Sequence, residues 1–409
     1  MKIILPDDVK FIIGTLTANG YEAYAVGGCV RDSILHRVPG DWDITTSARP
    51  CQVKKLFRRT IDTGIQHGTV TVMMGHTGYE VTTYRVDGEY EDSRHPKSVE
   101  FTSSLLEDLR RRDFTINAMA YSDESGIVDE FGGIEDLENG VIRCVGNPEE
   151  RFGEDALRML RAVRFSAQLG FDIEQGTCEA IEKLAPAIDK ISRERIHSEL
   201  GKILLSEHPE YIDKAYRLGI TAVVFPEYDM INDKEITLRL LGKVPSEISF
   251  RYAAILCGNG SKEASEALRR LKLDNETIRH VACLVSNHNM TVDTDECTVR
   301  KTAGRIGRDE LKSVLLFEKL YYEIIHDEAM VEKIKEAGDV LEMIIKRGDC
   351  ILVSDLAING KDLIEAGIKP GKEIGVILKS CLDEVIEHPE KNNHDTLMNM
   401  VKEHMSLNS

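Results

Sequence analysis

Long hydrophobic runs are missing from this sequence of 409 residues. The apolar run at its start, Ile3-Ile4-Leu5, ends at Pro6 and two aspartates, so it fits neither a signal peptide nor a membrane-spanning helix. A disulfide framework is not indicated either, because the nine cysteines are scattered, odd in number and form no Cys-x-x-Cys pair. We therefore expect a cytoplasmic protein with reduced, mostly buried cysteines and no membrane segment.

Positive charge is also scarce. Lysine and arginine number 52 against 70 aspartates and glutamates, which leaves a net charge of −18. Because lysine and arginine are the residues that bind nucleic-acid phosphates, we expect any nucleic-acid footprint to be small, local and salt-sensitive. The remaining composition, 42% hydrophobic and 30% charged, is typical of a globular protein, and the length indicates more than one domain.

Two aspartates near the amino terminus follow a glycine-containing turn. Asp41 and Asp43 are two apart in a stretch predicted as a strand, so both side chains point to the same side. Carboxylates in this arrangement suit Mg²⁺ whose other ligands are phosphate oxygens and water. Gly27 and Gly28, at the start of a predicted helix containing Arg31, allow backbone amides and a guanidinium to approach a triphosphate. Either motif alone is more often a turn or a solvated loop; their order predicts a metal-and-triphosphate site.

A third carboxylate is a candidate for the same site. Residues 69–74 and 79–85 alternate apolar and polar side chains around a glycine-containing turn, which predicts a β-hairpin. Glu80, in the second strand, lies where a carboxylate supporting two metal ions would be expected. An exposed strand glutamate explains it equally well, so we do not assign it as a ligand.

A helix is predicted to carry residues 151–164, with an arginine-rich face opposite an apolar face. Asp155 and Arg158 are three residues apart on it, which makes them lateral neighbours. As a surface ion pair they would contribute less than about 1 kcal/mol. A fixed carboxylate beside a fixed guanidinium would instead match the amino group and ring nitrogen of cytosine or adenine and oppose guanine and uracil. Such a pair would select CTP and ATP without a template, at about 1–3 kcal/mol.

Three signatures taken in order resemble a known family. They are Val-Gly-Gly-Cys-Val-Arg-Asp with Gly-Asp-Trp-Asp-Ile-Thr-Thr-Ser-Ala, then Arg-Arg-Asp-Phe-Thr-Ile-Asn-Ala-Met-Ala, then Glu-Asp-Ala-Leu-Arg. Together they resemble the nucleotidyltransferase superfamily of DNA polymerase beta, in its branch of bacterial class II tRNA CCA-adding enzymes and poly(A) polymerases. The resemblance implies nucleotide-binding roles for Gly28, Arg31 and Arg112, with Asp113 and Asn117 near the ribose.

For the helical segment, the resemblance implies that Asp155 and Arg158 act as an amino-acid template. It implies that Arg161 and Arg164 serve the triphosphate or stabilise the helix. Asp41 and Asp43 would be the catalytic residues and the ligands of Mg²⁺.

The resemblance covers essentially the whole chain and implies an α+β fold. A polymerase-beta-like nucleotidyltransferase head, residues 1–146, would be followed by an all-helical neck, body and tail. The neck, 147–205, would recognise the base; the body would span 206–300; the tail, 301–409, would bind tRNA.

The implied activity is template-independent addition of CCA to the 3′ end of the tRNA acceptor arm from CTP and ATP, with release of pyrophosphate. An enzyme that adds only adenosine and a bacterial poly(A) polymerase share every signature. A long loop predicted at 86–99 argues against a cytidine-only enzyme, and the acidic end lacks the basic extension usual in poly(A) polymerases. An RNA-binding scaffold with a decayed site is the non-enzymatic alternative, which the intact carboxylates and arginines oppose. The oligomeric state, including a homodimer, stays open.

Overall fold

The structure is a computed structural model that describes residues 2–87 and 99–407. Two compact units divide the chain, one made of Met1–Ile231 with Arg270–Lys272 and the other of Asn232–Arg269 with Leu273–Ser409. Most of the loop predicted at 86–99 lies outside the described residues. Within the described ranges, no helix has the length and apolar character needed to cross a membrane.

The first unit is built on a mixed sheet. Its described strands, in chain order, are β1 (Ala23–Val26), β2 (Ile44–Thr46), β3 (Thr60–Gly64), β4 (Thr69–Met74), β5 (Thr77–Thr83), β6 (Arg85–Asp87), β7 (Val99–Phe101), β8 (Met119–Ser122), β9 (Gly126–Asp129), β10 (Val141–Ile142) and β11 (Asp172–Ile173). Seven of them form one sheet in the order β3-β4-β5-β2-β1-β8-β9, in which only the β2–β5 pair is parallel. This confirms the α+β head that the resemblance implied.

The predicted hairpin is present with a shorter turn. β4 and β5 pair from Met74 opposite Thr77 to Thr69 opposite Thr82, so the turn consists of Gly75 and His76 alone. Gly75 has φ +62°, a left-handed conformation that glycine adopts at low cost. The register places Glu80 opposite Thr71.

Helices surround this sheet and continue beyond it. Those of the first unit are α1 (Asp7–Ala18), α2 (Gly28–Ile34), α3 (Pro50–Leu56), α4 (Leu105–Arg110), α5 (Gly133–Glu138), α6 (Pro148–Glu154), α7 (Leu157–Leu169), α8 (Gln175–Leu184), α9 (Arg193–Leu204), α10 (Ile212–Arg217), α11 (Thr221–Val224) and α12 (Pro226–Asp229). Helix α1 has four buried apolar residues on one face, and Gly20 lies at φ +85° just beyond its end.

The prediction of a single helix across residues 151–164 is wrong in one respect, because the helix is interrupted between α6 and α7. Asp155 has an extended backbone, φ −143° and ψ 103°, and its side chain accepts a hydrogen bond from the Leu157 amide at 3.0 Å. Aspartate side chains compete with the backbone for such amides, which is why they favour helix ends over helix interiors. Because of this interruption, Asp155 does not share a helical face with Arg158, as the sequence suggested that it would.

Helix α7 runs through the core of the first unit. Nine of its thirteen residues are buried, including Met159, Leu160, Val163 and Phe165, and it packs against α9. Burying side chains of this size contributes about 1.5–3 kcal/mol each. The arginines of α7 are therefore displayed from a firmly held helix. The segment predicted as an all-helical neck also contains β11, which pairs in parallel with β10.

The second unit is helical throughout its described residues. Its helices are α13 (Lys234–Lys243), α14 (Ile248–Leu256), α15 (Ser261–Arg270), α16 (Asn275–Ser286), α17 (Glu296–Ile306), α18 (Arg308–Ile324), α19 (Glu328–Arg347), α20 (Gly360–Glu365), α21 (Lys372–Glu387) and α22 (His394–Leu407). Apolar clusters form between α17, α18 and α19 and between α20, α21 and α22. This agrees with the helical body and tail expected from the sequence.

Candidate active site

The two aspartates border a cleft at one end of β2. Asp41 and Asp43 lie in the extended chain just before β2, not inside a strand as predicted, and the Asp43 carbonyl accepts a hydrogen bond from the Val26 amide at 3.0 Å. The cleft has a volume of about 470 Å³. Its lining residues are Gly40, Asp41, Trp42, Asp43, Thr71, Thr77, Gly78, Tyr79 and Glu80. The candidate third carboxylate therefore faces the same space as the pair.

The charges around Asp43 fit a cation. Loss of water around its carboxyl raises the pKa of Asp43, attraction to Arg112 opposes this shift, and repulsion from Glu80 and Asp41 adds to it. The described residues contain no cluster of three or more histidine, cysteine or acidic side chains arranged as a closed metal site. An open pair of hard carboxylate ligands is what a divalent ion shared with a phosphate substrate requires.

A glycine turn joins the aspartates to the arginines. Gly27 has φ +80°, and its carbonyl accepts the amides of Val30 and Arg31 at 3.1 Å, which starts α2. A Cβ at this position would lie 2.9 Å from Nη1 of Arg112. Glycine is needed here for two reasons, the left-handed backbone and the close approach of the guanidinium.

Asn117 connects the arginines that the sequence predicted as nucleotide ligands. Its side-chain oxygen accepts a hydrogen bond from Nη1 of Arg31 at 2.8 Å, and its carbonyl accepts one from Nη1 of Arg112 at 3.4 Å. The side-chain amide nitrogen of Asn117 donates a hydrogen bond to Oδ1 of Asp113 at 3.3 Å. Nε of Arg112 is buried without a hydrogen-bond partner among the described residues, so its donor capacity is not used up within the protein.

Asp113 links this group to α7. Its carboxylate accepts a hydrogen bond from Nε of Arg161 at 2.9 Å and another from the Phe114 amide at 2.9 Å. Burial raises the pKa of Asp113, but Arg161 and then Arg158 outweigh it and leave the pKa well below its usual range. The same attraction outweighs burial to raise the pKa of Arg161. Because Asp113 stays ionised in the folded protein, the stability it contributes is present above the ordinary aspartate range and is lost only in strong acid.

Three guanidinium groups surround one aromatic ring. Arg164, Arg31 and Arg161 lie 4.1, 5.2 and 5.4 Å from the centre of Phe165, whose ring packs edge-on against Phe114. Burial, then repulsion from Arg161, lowers the pKa of Arg164 to about 10. The sequence did not single out Phe165, and its position one residue after Arg164 was the only available signal. Each of the three arginines also pairs with a carboxylate, so the protein itself offsets part of the positive charge of the cluster.

The predicted pairing of Asp155 with Arg158 needs correction. Asp155 pairs with Arg195 of α9, whose Nη2 donates to Oδ2 at 2.7 Å. Arg158 pairs with Glu154 and also donates to the carbonyls of Arg151 and Arg111, each at 3.1 Å. The helix break explains this, because it rotates Asp155 away from the face that Arg158 occupies. The sequence did not single out Arg195, because forty residues separate it from Asp155 and no local pattern marks it as the partner.

Comparisons with known proteins show which family the chain belongs to. Three family models match successive parts of the chain: the Poly A polymerase head domain over residues 23–143, the RNA and SrmB-binding site of polymerase A over 170–231, and tRNA nucleotidyltransferase domain 2 over 244–401. The CCA-adding enzyme of Lactiplantibacillus plantarum is 39% identical, with 96% of this chain and 95% of that protein covered. This chain belongs to the CCA-adding enzyme family.

Other CCA-adding enzymes support the same placement. That of Enterococcus faecalis is 38% identical, with 97% of this chain and 95% of that protein covered. Among solved structures, the Bacillus stearothermophilus CCA-adding enzyme in complex with CTP superposes with a TM-score of 0.79 at 31% identity, with 99% of each chain covered. The protein is therefore an enzyme of the nucleotidyltransferase class, and its family generally uses a divalent metal.

Replacing Gly27 with alanine tests the turn. We expect G27A to lose about 1–3 kcal/mol of unfolding free energy, because alanine at φ +80° is strained and its Cβ meets the Arg112 guanidinium. Displacement of Arg112 should also weaken nucleotide binding, measured by calorimetric titration with CTP. Gly14 is the control, since it lies in α1 with no atom within 4 Å of an added Cβ, so G14A should gain about 0.5–1 kcal/mol. Equal stability of the two variants would contradict the strain at Gly27.

Proposed function

We propose that this CCA-adding family member completes tRNA 3′ ends by adding CCA from CTP and ATP and releasing pyrophosphate. The names of its relatives and the CTP in the Bacillus stearothermophilus structure support this substrate set. The observation that carries the proposal is one run of interactions. It joins Asp43 through Arg112, Asn117 and Asp113 to Arg161, which connects the carboxylate cleft to the helix proposed to read the base.

For the cofactor we propose Mg²⁺, with Asp41 and Asp43 as its protein ligands. A bound Mg²⁺ would polarise the α-phosphate and stabilise charge on the departing pyrophosphate. The chain itself contributes placement, because the Val26 amide holds the Asp43 backbone and Arg112 offsets part of the negative charge of the cleft. The tRNA 3′-hydroxyl attacks the α-phosphorus, and the bond to pyrophosphate breaks.

Three groups of side chains share nucleotide binding in this proposal: the arginines around Phe165, then Arg112, and finally the pair Asp155 and Arg158. Arg31, Arg161 and Arg164 present their charge around Phe165 and suit the triphosphate. Arg112, beside the Gly27–Gly28 turn, has an unused buried donor for a sugar or phosphate oxygen.

Asp155 and Arg158 are the proposed base-reading residues. A carboxylate accepts the amino group of cytosine or adenine, and a guanidinium donates to the adjacent ring nitrogen. Guanine and uracil present a carbonyl and a ring N–H in the opposite order, which places oxygen against carboxylate. Because separate elements hold the two side chains, each keeps its orientation without contact with the other.

The domain roles and location also remain proposals. We propose residues 1–146 as the catalytic head, 147–205 as the base-reading neck, 206–300 as the body and 301–409 as the tRNA-binding tail. A cytoplasmic location follows from the proposed substrates, since tRNA and nucleoside triphosphates are used there.

The activity is tested with three tRNA transcripts, ending at the discriminator base, at C and at CC, each given CTP, ATP or both. We expect the first transcript with both nucleotides to gain three residues, and with CTP alone to gain two. An enzyme restricted to adenosine would extend only the CC transcript, and a poly(A) polymerase would add long tracts from ATP alone. The readout is product length at nucleotide resolution.

Replacing Asp41 with alanine tests the metal site. We expect D41A to lose nucleotide incorporation by several orders of magnitude while its tRNA affinity stays near wild type, because the cleft loses half of its proposed ligand pair. Trp42 is the only tryptophan and lines the same cleft, so its fluorescence response to Mg²⁺ should also disappear. Glu124, exposed in the β8–β9 turn, supplies the control variant E124A. Substantial incorporation by D41A would remove the metal role.

Replacing Asp155 with asparagine tests base reading. The amide places a donor where the carboxylate accepted, so the preference for CTP over UTP should fall about tenfold. The readout is the ratio of kcat/KM values for the two nucleotides on the transcript ending at the discriminator base. Asp189, which also pairs with an arginine of α9, supplies the control D189N. A ratio unchanged in D155N would contradict the template role.

A further inference from the structure

The carboxylate of Asp155 is held on both of its oxygens. Oδ1 accepts from the Leu157 amide at 3.0 Å and from Nη1 of Arg195 at 3.4 Å, and Oδ2 accepts from Nη2 of Arg195 at 2.7 Å. A carboxylate offers four acceptor positions, so these contacts leave one position open among the described residues, and it is on Oδ2. The plane of the carboxylate and its one open acceptor are thereby both defined.

Arg195 reaches Asp155 from a different part of the fold. It lies in the first turn of α9, forty residues further along the chain, and α9 packs along α7. The side chains of Asp155 and Arg195 retain 17% and 26% of their exposure, so the pair is partly shielded from water but still accessible. A guanidinium binding a carboxylate through two N–H groups fixes geometry better than a single contact does.

A second ion pair on the same helix provides a comparison. Arg193 is 27% exposed, nearly the same as Arg195, and pairs with Asp189 at 2.7 Å. Asp189 is 68% exposed, however, and its partner is one helical turn away in sequence. Arg193 therefore pairs with an exposed carboxylate close by in sequence, whereas Arg195 bridges two elements at a partly enclosed carboxylate.

We propose that Arg195 is a positioning residue for base recognition, which orients Asp155 so that a single carboxylate acceptor faces the amino group of the incoming nucleotide. This inference rests on the proposed function, since it assumes that Asp155 reads the base. Without Arg195, the carboxylate would keep only the Leu157 contact and would rotate about its side-chain bonds. A rotating carboxylate no longer presents one fixed acceptor, so a base with the opposite donor and acceptor order is rejected less strongly.

Different residues hold the two side chains that are proposed to read the base. Arg158 is anchored to the Arg111 carbonyl and to Glu154, whereas Asp155 is anchored to α9. Loss of Arg195 should therefore alter the carboxylate half of base recognition and leave the guanidinium half in place. The preference for CTP over UTP depends on the amino group of the base, so it should change more than kcat with CTP does.

The experiment compares R195M, R195K and the control R193M with wild type. Each is assayed for kcat and KM with CTP and with UTP on a tRNA transcript ending at the discriminator base, and thermal unfolding is recorded. For R195M we expect the CTP/UTP ratio of kcat/KM to fall about tenfold, mainly through KM for CTP. R195K keeps the charge and one hydrogen bond, so its ratio should lie between those of R195M and wild type. R193M should retain the wild-type ratio.

Two results would overturn the proposal. Both leave the R195M ratio of CTP to UTP equal to wild type: either neither nucleotide loses rate, or both lose rate equally, as they would if Arg195 were merely structural. If R195M does not unfold cooperatively, R195K decides alone, and a wild-type ratio in it counts against the proposal. A wild-type protein that incorporates neither CTP nor ATP contradicts the proposed function itself, so the two failures are distinguishable.

Discussion

The ion pair between Asp113 and Arg161 is the interaction on which the site depends. It ties the segment that follows three consecutive arginines to the helix proposed to face the base. Asp113 is buried, whereas the Arg161 side chain is 32% exposed. Removing Arg161 would therefore leave the buried Asp113 charge without its main partner, at a cost of about 3–5 kcal/mol. Asp113 also holds Asn117, which holds Arg31, so one carboxylate orders side chains from three elements.

Positive charge in this protein is local. The chain as a whole carries a net charge of −18, yet Arg31, Arg161 and Arg164 meet around a single phenylalanine. Their repulsion contributes to the lowered pKa of Arg164. Each of the three arginines also pairs with a carboxylate, and a polyanionic ligand would relieve the remaining repulsion, as the proposed triphosphate site requires. Overall acidity therefore does not conflict with a nucleotide substrate, because binding depends on charge within a few ångströms.

The break between α6 and α7 gives Asp155 a partner that a continuous helix would not provide. In a continuous helix, residues 155 and 158 would share one face, and the carboxylate would be drawn to the nearest guanidinium. With the backbone extended at Asp155, its side chain meets Arg195 while Arg158 meets Glu154 and the Arg111 carbonyl. The Asp155 carboxylate and the Arg158 guanidinium thus bind different partners and do not pair with each other.

Short-range spacing in the sequence was enough to predict the glycine turn before α2 and the β4–β5 hairpin, because backbone preferences and residues a few positions apart determine such features. The sheet-based head and the helical remainder were predicted from the resemblance of three sequence signatures to a known family. Only the tertiary structure decided that Asp155 pairs with Arg195, that Arg164 lies beside Glu199, and that Phe165 gathers three arginines. Those contacts depend on how α7, α9 and the sheet pack, and many side chains of suitable charge compete for each partner. The separation of two residues along the chain therefore does not indicate which of the possible pairs forms.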